Sequence, residues 1–246
     1  MGEVKLHGSW SSPSTYGVIW ALSLKGIPYE FVERDLTNKT PLLLHEKVPM
    51  LVHGGKPIFE SDVILEYIDE TWMQNPLLPT HPLDRGAARS WIRFIQNKRS
   101  VVWKMLCYEG EEQKKAKREI LEMLQILEEQ GIGEGKFFNG EKIGIVDLAY
   151  GVLVEWLGVI EDVTSEKVME ANSFPQLHAW SMAFMEAPTI RENRPNREWM
   201  VMTFKHLREH LLKKPRSSEV SLKDGILFCE LFQCVLDLIS LLCNSL

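Results

Sequence analysis

Two serines in this chain stand immediately before helical runs, and their neighbours give each a possible chemical role. Glu60-Ser61 closes a short β-rich run and precedes Val63, Ile64, Tyr67, Ile68 and Trp72, which recur at helical spacing. That pattern predicts Ser61 as the helix N-cap, with Asp62 in the first turn complementing the helix dipole. An amino-acid-like ligand suits such a place. Its carboxylate can accept from the serine hydroxyl and the helix N–H groups, and Glu60 can take its ammonium. Val48-Pro49 enters the same hairpin. A cis bond there would turn the Val48 backbone outward, free to pair with a ligand's own peptide group. Each residue also has a plain structural alternative: Ser61 as a mere cap, Glu60 as surface, Pro49 as a strand start. It is their coincidence on one hairpin that favours a ligand site. The second serine is Ser12, with Ser11 beside it. Ser12 precedes Pro13, and proline in the first helical position loses no N–H that the helix needs.

The elements that must position these residues are legible in order. Val4 to His7 alternates like a strand and ends at Gly8. Helical periodicity then runs through Val18, Ala21, Leu22 and Leu24 to Lys25-Gly26, where the glycine suits a helix end. Tyr29 to Glu33 reads as a second strand. After a link from Asp35 to Leu44, Val48–His53 and Lys56–Phe59 flank Gly54-Gly55, a pair that takes positive φ without steric cost and so predicts a hairpin. The order β-α-β then β-β-α is that of a thioredoxin-like domain. Met73 to Pro82 carries three prolines and no periodicity, and reads as a linker. Beyond it only helical patterns remain: 85–108, 111–130, 147–161, 174–186 and 196–213. The run from Asp147 to Glu161 is the most apolar and is expected at the centre of an all-helical core.

A chain of 246 residues is long enough to bury a core in one large domain or two small ones. A net charge of −6, with no basic stripe interleaved with aromatics, argues against nucleic acid as a partner. Cys107, Cys229, Cys234 and Cys243 form no C-x-x-C and no metal-ligand spacing, so no metal is expected. With no signal-like or transit-like stretch before the first strand, the cytoplasm is the expected compartment.

A set of motifs then carries a resemblance. It comprises Trp10-x-Ser12-Pro13, Leu24-Lys25-Gly26-Ile27-Pro28-Tyr29-Glu30, Asp35-Leu36-x-Asn38-Lys39, Lys47-Val48-Pro49-x-Leu51, Gly55-Lys56-Pro57-Ile58-x-Glu60-Ser61 and Tyr67-Ile68-Asp69-Glu70-x-Trp72. In the helical part, Ile143-Gly144-x-Val146-Asp147 and Phe174-Pro175-x-Leu177-x-x-Trp180 join them. Together, over about residues 4 to 214, the chain resembles a cytosolic glutathione transferase of the plant tau class. The resemblance implies an α+β thioredoxin-like glutathione-binding domain at 1–74, a linker at 75–82 and an all-α domain at 83–214 holding the acceptor pocket. It also implies a homodimer and glutathione as co-substrate, conjugated to small apolar electrophiles in detoxification, with peroxidase activity as an extension. A scaffold that carries apolar molecules without turnover is the alternative.

By the same resemblance Ser12 activates the glutathione thiol, since a hydroxyl donor at a helix N-terminus favours thiolate over thiol. Asn38, Lys39 and Lys47 fall at the glycyl end, the Val48 backbone at the cysteinyl amide, and Glu60 and Ser61 at the γ-glutamyl end. Ser14, Tyr108, Trp156, Trp199 and Phe204 are candidates for the acceptor pocket, although aromatics at helical spacing also serve as core. The chain departs from the family pattern in three places. Ser14 and Gly17 stand where a bulky aromatic and an arginine are usual. The link before His45-Glu46-Lys47 is short. A further stretch, 215–246, follows the usual end. After Pro215-Arg216-Ser217-Ser218, Ile226 to Leu246 is apolar with a narrow polar stripe. Glu230 and Asp237 argue against a membrane span, because an acid near a bilayer centre costs about 2.5–3.5 kcal/mol. An added segment packed on an apolar patch, or poorly ordered, is expected there.

Overall fold

The computed structural model describes residues 2–34, 48–133, 135–138 and 140–213. The short link and the apolar tail, with Asn38, Lys39 and Lys47, lie outside the described residues.

The N-terminal part is β1 (Val4–Gly8), α1 (Pro13–Leu24), β2 (Glu30–Glu33), β3 (Met50–His53), β4 (Lys56–Phe59) and α2 (Ser61–Thr71). The strands form one mixed sheet in the order β2-β1-β3-β4, with β1 parallel to β2 and antiparallel to β3. Gly54 and Gly55 take φ of 56° and 80°, so the hairpin turns where two residues without Cβ permit it. Gly8 answers to a different constraint. A Cβ there would stand 2.4 Å from Thr15 Cγ2, so the end of β1 can lie against the start of α1 only as glycine. Leu6, Leu51, Val18, Leu22, Ile64 and Ile68 are buried between the sheet and the two helices.

The linker is fixed by a buried ion pair. Lys25 Nζ lies 2.7 Å from Asp69 Oδ1 and donates to the carbonyls of Trp72, Gln74 and Asn75 at 2.6–3.2 Å. The Asp69 carboxylate in turn accepts the N–H groups of Leu77 and Leu78 at 2.7 and 3.1 Å. Every polar group drawn inward here has a partner, the condition under which a buried pair is tolerated.

The second part is helical: α3 (Pro82–Cys107), α4 (Glu111–Gln130), α5 (Ile145–Thr164), α6 (Pro175–Met185), α7 (Pro188–Glu192) and α8 (Arg197–Lys213). As its composition predicts, α5 is the central helix, packed against α1, α3, α6 and α8. Its start depends on Asp147, whose buried carboxylate accepts from Gly144 N, Phe138 N and Trp180 Nε1 at 2.8–3.0 Å. Burial pushes that carboxyl above its ordinary range, and the three donors pull it back. α6 lacks a side-chain cap of its own; Glu128 of α4 supplies one, accepting from Gln176 N and Leu177 N, both at 2.8 Å. The five-residue α7 has too few apolar positions to show a helical period in the sequence.

Candidate active site

The strand register brings three loops to one end of the sheet. Met50 of β3 pairs with His7 near the end of β1, and Phe59 at the end of β4 pairs with Met50. The segments leaving or entering at that end are therefore Ser9–Ser12, Val48-Pro49 and Glu60-Ser61, which were far apart in sequence. Val48-Pro49 is cis, as the proline allows.

Ser12 is buried at the N-cap of α1. Its Oγ accepts the Thr15 N–H at 3.4 Å, and its own N–H donates to Ser9 O at 3.0 Å. Capping uses the oxygen as an acceptor and leaves the hydroxyl proton to donate elsewhere, so a cap and a thiolate donor are compatible in one residue. The loop ahead of it is tied from several sides. Ser9 N donates to Thr15 Oγ1, Trp10 N to Glu33 Oε1 of β2, and Trp156 Nε1 of α5 to Ser11 O, each at 3.3 Å. Ser11 itself is buried, and its Oγ has no hydrogen-bond partner among the described residues. Tyr16, one turn along α1, packs on Trp156 with ring centroids 5.6 Å apart. Burial and the nearby Glu33, Tyr29 and Glu155 push its phenol up to about 12.

At the second loop the structure corrects one expectation. The N-cap of α2 is Glu60, not Ser61; Ser61 is the first helical residue. Glu60 takes φ 64° and ψ 122° and makes no side-chain cap bond. β4 runs straight into α2, so one residue must absorb the whole change of direction. A non-glycine residue in that region costs of order 1–3 kcal/mol and is characteristic of positions where a ligand contact matters. Ser61 and Asp62 line a small cavity, about 20 Å³ in volume, that reaches between the two parts of the chain. Ser14 and Gly17 of α1 form another side of it, and Gln96 and Arg99 of α3 a third.

The pocket candidates fall in different settings. Ser14 lines this cavity and accepts from Arg99 Nη1 at 3.1 Å. Trp156 is buried at the contact between α5 and the Ser11 loop. Phe204 is buried in the helical core, its ring 5.5 Å from that of Trp103. Tyr108 is half-buried at the end of α3, where its carbonyl accepts from Arg208. Trp199 stands half-exposed on the first turn of α8. Arg99, which also lines this cavity, is not among the residues expected from the sequence. The signal was present: positions 92, 95, 99, 102 and 106 trace the inner face of α3, and an arginine interrupts that apolar stripe. Among the described residues no group of His, Cys, Asp and Glu side chains could hold a metal ion, and no helix is long and apolar enough to cross a membrane.

A four-stranded mixed sheet with flanking helices, joined by a pinned linker to an all-helical part, with ligand-type loops gathered at one sheet end, defines the glutathione transferase architecture. The family descriptions "Glutathione S-transferase, N-terminal domain" and "Glutathione S-transferase, C-terminal domain" match residues 2–70 and 91–188. A tobacco (Nicotiana tabacum) protein named "Probable glutathione S-transferase" is 42% identical over 210 residues, covering 83% of this chain and 94% of that protein. The crystal structure of the Tau-class glutathione S-transferase MiGSTU from mango (Mangifera indica) superposes with a TM-score of 0.76 at 33% identity, over 81% of this chain and 96% of that one. Rice GST1, solved in complex with glutathione, gives a TM-score of 0.77 at 30% identity, over 86% and 99%. The chain belongs to the glutathione S-transferase family, with plant tau-class enzymes as its neighbours in sequence and structure. It is a transferase, and glutathione is its co-substrate.

Proposed function

We propose that the enzyme joins the glutathione sulfur to small apolar electrophiles, with Ser12 holding the thiolate. In the reaction the thiol proton leaves to solvent, and the thiolate sulfur attacks an electrophilic carbon. A C–S bond forms and a leaving group such as chloride departs with its electron pair. Ser12 Oγ–H donates to the sulfur and lowers its pKa from the ordinary value of about 8.5, so that the nucleophile is present near neutral pH. Val48 meets the cysteinyl amide, while Glu60, Ser61 and the α2 N-terminus take the γ-glutamyl ammonium and carboxylate. Asn38, Lys39 and Lys47 keep the glycyl-end roles that the family resemblance implies. The acceptor lies between the thioredoxin-like unit (1–74) and the helical unit (83–214), the enzyme works as a cytoplasmic homodimer, and detoxification is its use.

The observation that carries this reading is the convergence of Ser12, Val48 and Glu60-Ser61 at one sheet end, where the Ser12 hydroxyl donates to no acceptor among the described residues. The test is retention on immobilised glutathione, followed by turnover of 1-chloro-2,4-dinitrobenzene. Retention with turnover supports it; retention without turnover would mark a carrier, and absence of both would defeat the glutathione site.

A further inference from the structure

Trp156 is buried on the central helix α5 and commits its one polar atom to the loop that carries Ser12. Its ring packs on Tyr16 of α1, and its Nε1–H donates to Ser11 O at 3.3 Å. That carbonyl belongs to the peptide unit whose N–H is that of Ser12, and this N–H donates in turn to Ser9 O at 3.0 Å. A peptide unit is planar, so hydrogen bonds at its two polar atoms fix its plane. Ser12 therefore stands between a peptide held on both sides and Pro13, the first residue of α1. With φ −85° and ψ 116° set by those neighbours, only χ1 remains to direct Oγ, and χ1 has three staggered wells.

The ties of Trp10 N to Glu33 and of Ser9 N to Thr15 come from the thioredoxin-like part itself. The one from Trp156 comes from the helical part, and neighbouring contacts hold α5 against α1 there. Trp20 Nε1 of α1 donates to Asn193 O at 3.0 Å, and the next residue, Arg194, donates twice to Glu155 at 3.0 and 3.1 Å. Ser11 is buried as well, so water has poor access to the carbonyl. A buried carbonyl that loses its donor turns toward another partner, because leaving it bare costs more than the bond contributed. Turning this one rotates the Ser12 N–H off Ser9 O and moves Oγ with it.

We propose that Trp156 is a positioning residue for the thiolate donor: its indole N–H aims Ser12 Oγ at the sulfur by holding the Ser11–Ser12 peptide plane. The proposal rests on the reading of Ser12 as that donor. In this role Trp156 acts on the rate and on the thiol pKa through Ser12 alone.

Trp156→Phe keeps a ring against Tyr16 and removes the N–H. With 1-chloro-2,4-dinitrobenzene, kcat normalised to folded protein falls roughly 10-fold, less than in Ser12→Ala, because a donor displaced by a fraction of an ångström is weakened and not deleted. The pKa of the bound thiol, read by ultraviolet absorbance against pH, rises part of the way toward about 8.5. KM for glutathione stays near that of the parent, since Val48 and Glu60-Ser61 keep their places. The decisive comparison is the double variant: once Ser12 is alanine, Trp156→Phe changes neither kcat nor the thiol pKa further. Should Trp156→Phe not fold, site-specific replacement of Trp156 by 3-benzothienylalanine, a ring of the same shape with sulfur in place of the N–H, gives the same comparison. An unmoved thiol pKa in the single variant overturns the proposal. So does an equal fold-loss of kcat with and without the Ser12 hydroxyl, which would assign Trp156 to the acceptor or to the fold. A Ser12→Ala variant with the parent's thiol pKa would instead strike the reading of Ser12, and the positioning role with it.

Discussion

Replacing Ser12 by alanine separates two losses that the structure puts in one hydroxyl. The first is the cap. The Thr15 N–H reaches Ser12 Oγ at 3.4 Å, longer than the usual 2.7–3.2 Å, so the stability cost belongs at the low end of the capping range, about 0.5–1 kcal/mol. The second is the donor to the thiolate. Removing one preorganised donor from a developing or resident anion costs roughly 10²–10³ in kcat, about 2.7–4 kcal/mol. The two differ enough to be told apart, because denaturant unfolding reads the first and turnover the second. The direct assay is the ultraviolet absorbance of the bound thiolate followed against pH. A donor favours the charged form and lowers the thiol pKa, so its loss sends the pKa back up toward about 8.5. Activity of Ser12→Ala should therefore be most depressed near about pH 6.5 and recover partly as pH rises. Ser11→Ala provides the control. Its hydroxyl has no partner among the described residues, so deleting it orphans none of their groups and should leave the thiol pKa in place. An unchanged thiol pKa in Ser12→Ala, or an equal shift in Ser11→Ala, would refute the assignment of Ser12.

Three further outcomes follow from the same geometry. Asp147→Ala strips the acceptor from three donors at the start of α5 and should cost about 3–5 kcal/mol, read as a lower denaturant midpoint; a loss below about 1 kcal/mol would mean water replaces the carboxylate. Lys25→Met removes the cation that ties Asp69 to the linker and should cost about 3–5 kcal/mol, with faster amide exchange at Leu77 and Leu78. For Tyr16, held up to about 12 chiefly by burial, the folded state favours the neutral phenol. Its contribution to stability is full below the unfolded pKa of about 10 and is lost as pH rises through about 12, so Tyr16→Phe should flatten that alkaline loss.

Much of the fold follows from local rules and was open to reading in the chain. Gly54-Gly55 must turn, Ser12-Pro13 must start a helix, and the apolar stretch at 147–161 must be central, because turn geometry, capping and periodicity act over a few residues. The candidate site was half legible for the same reason: Ser12, Val48 and Glu60-Ser61 each sit at a local boundary. What the sequence could not decide is what reaches across. Only the folded chain makes Glu60 rather than Ser61 the cap, since the abrupt passage from β4 to α2 depends on where the sheet holds β4. Only packing buries Phe204 against Trp103 while leaving Trp199 half-exposed, although both are aromatics on one helix. Trp156 meets Ser11 across 145 positions and Arg99 meets Ser14 across 85. Periodicity can report that an arginine lies on an inward face, but its partner is set by how α3 and α1 pack, a relation between surfaces that no local window contains.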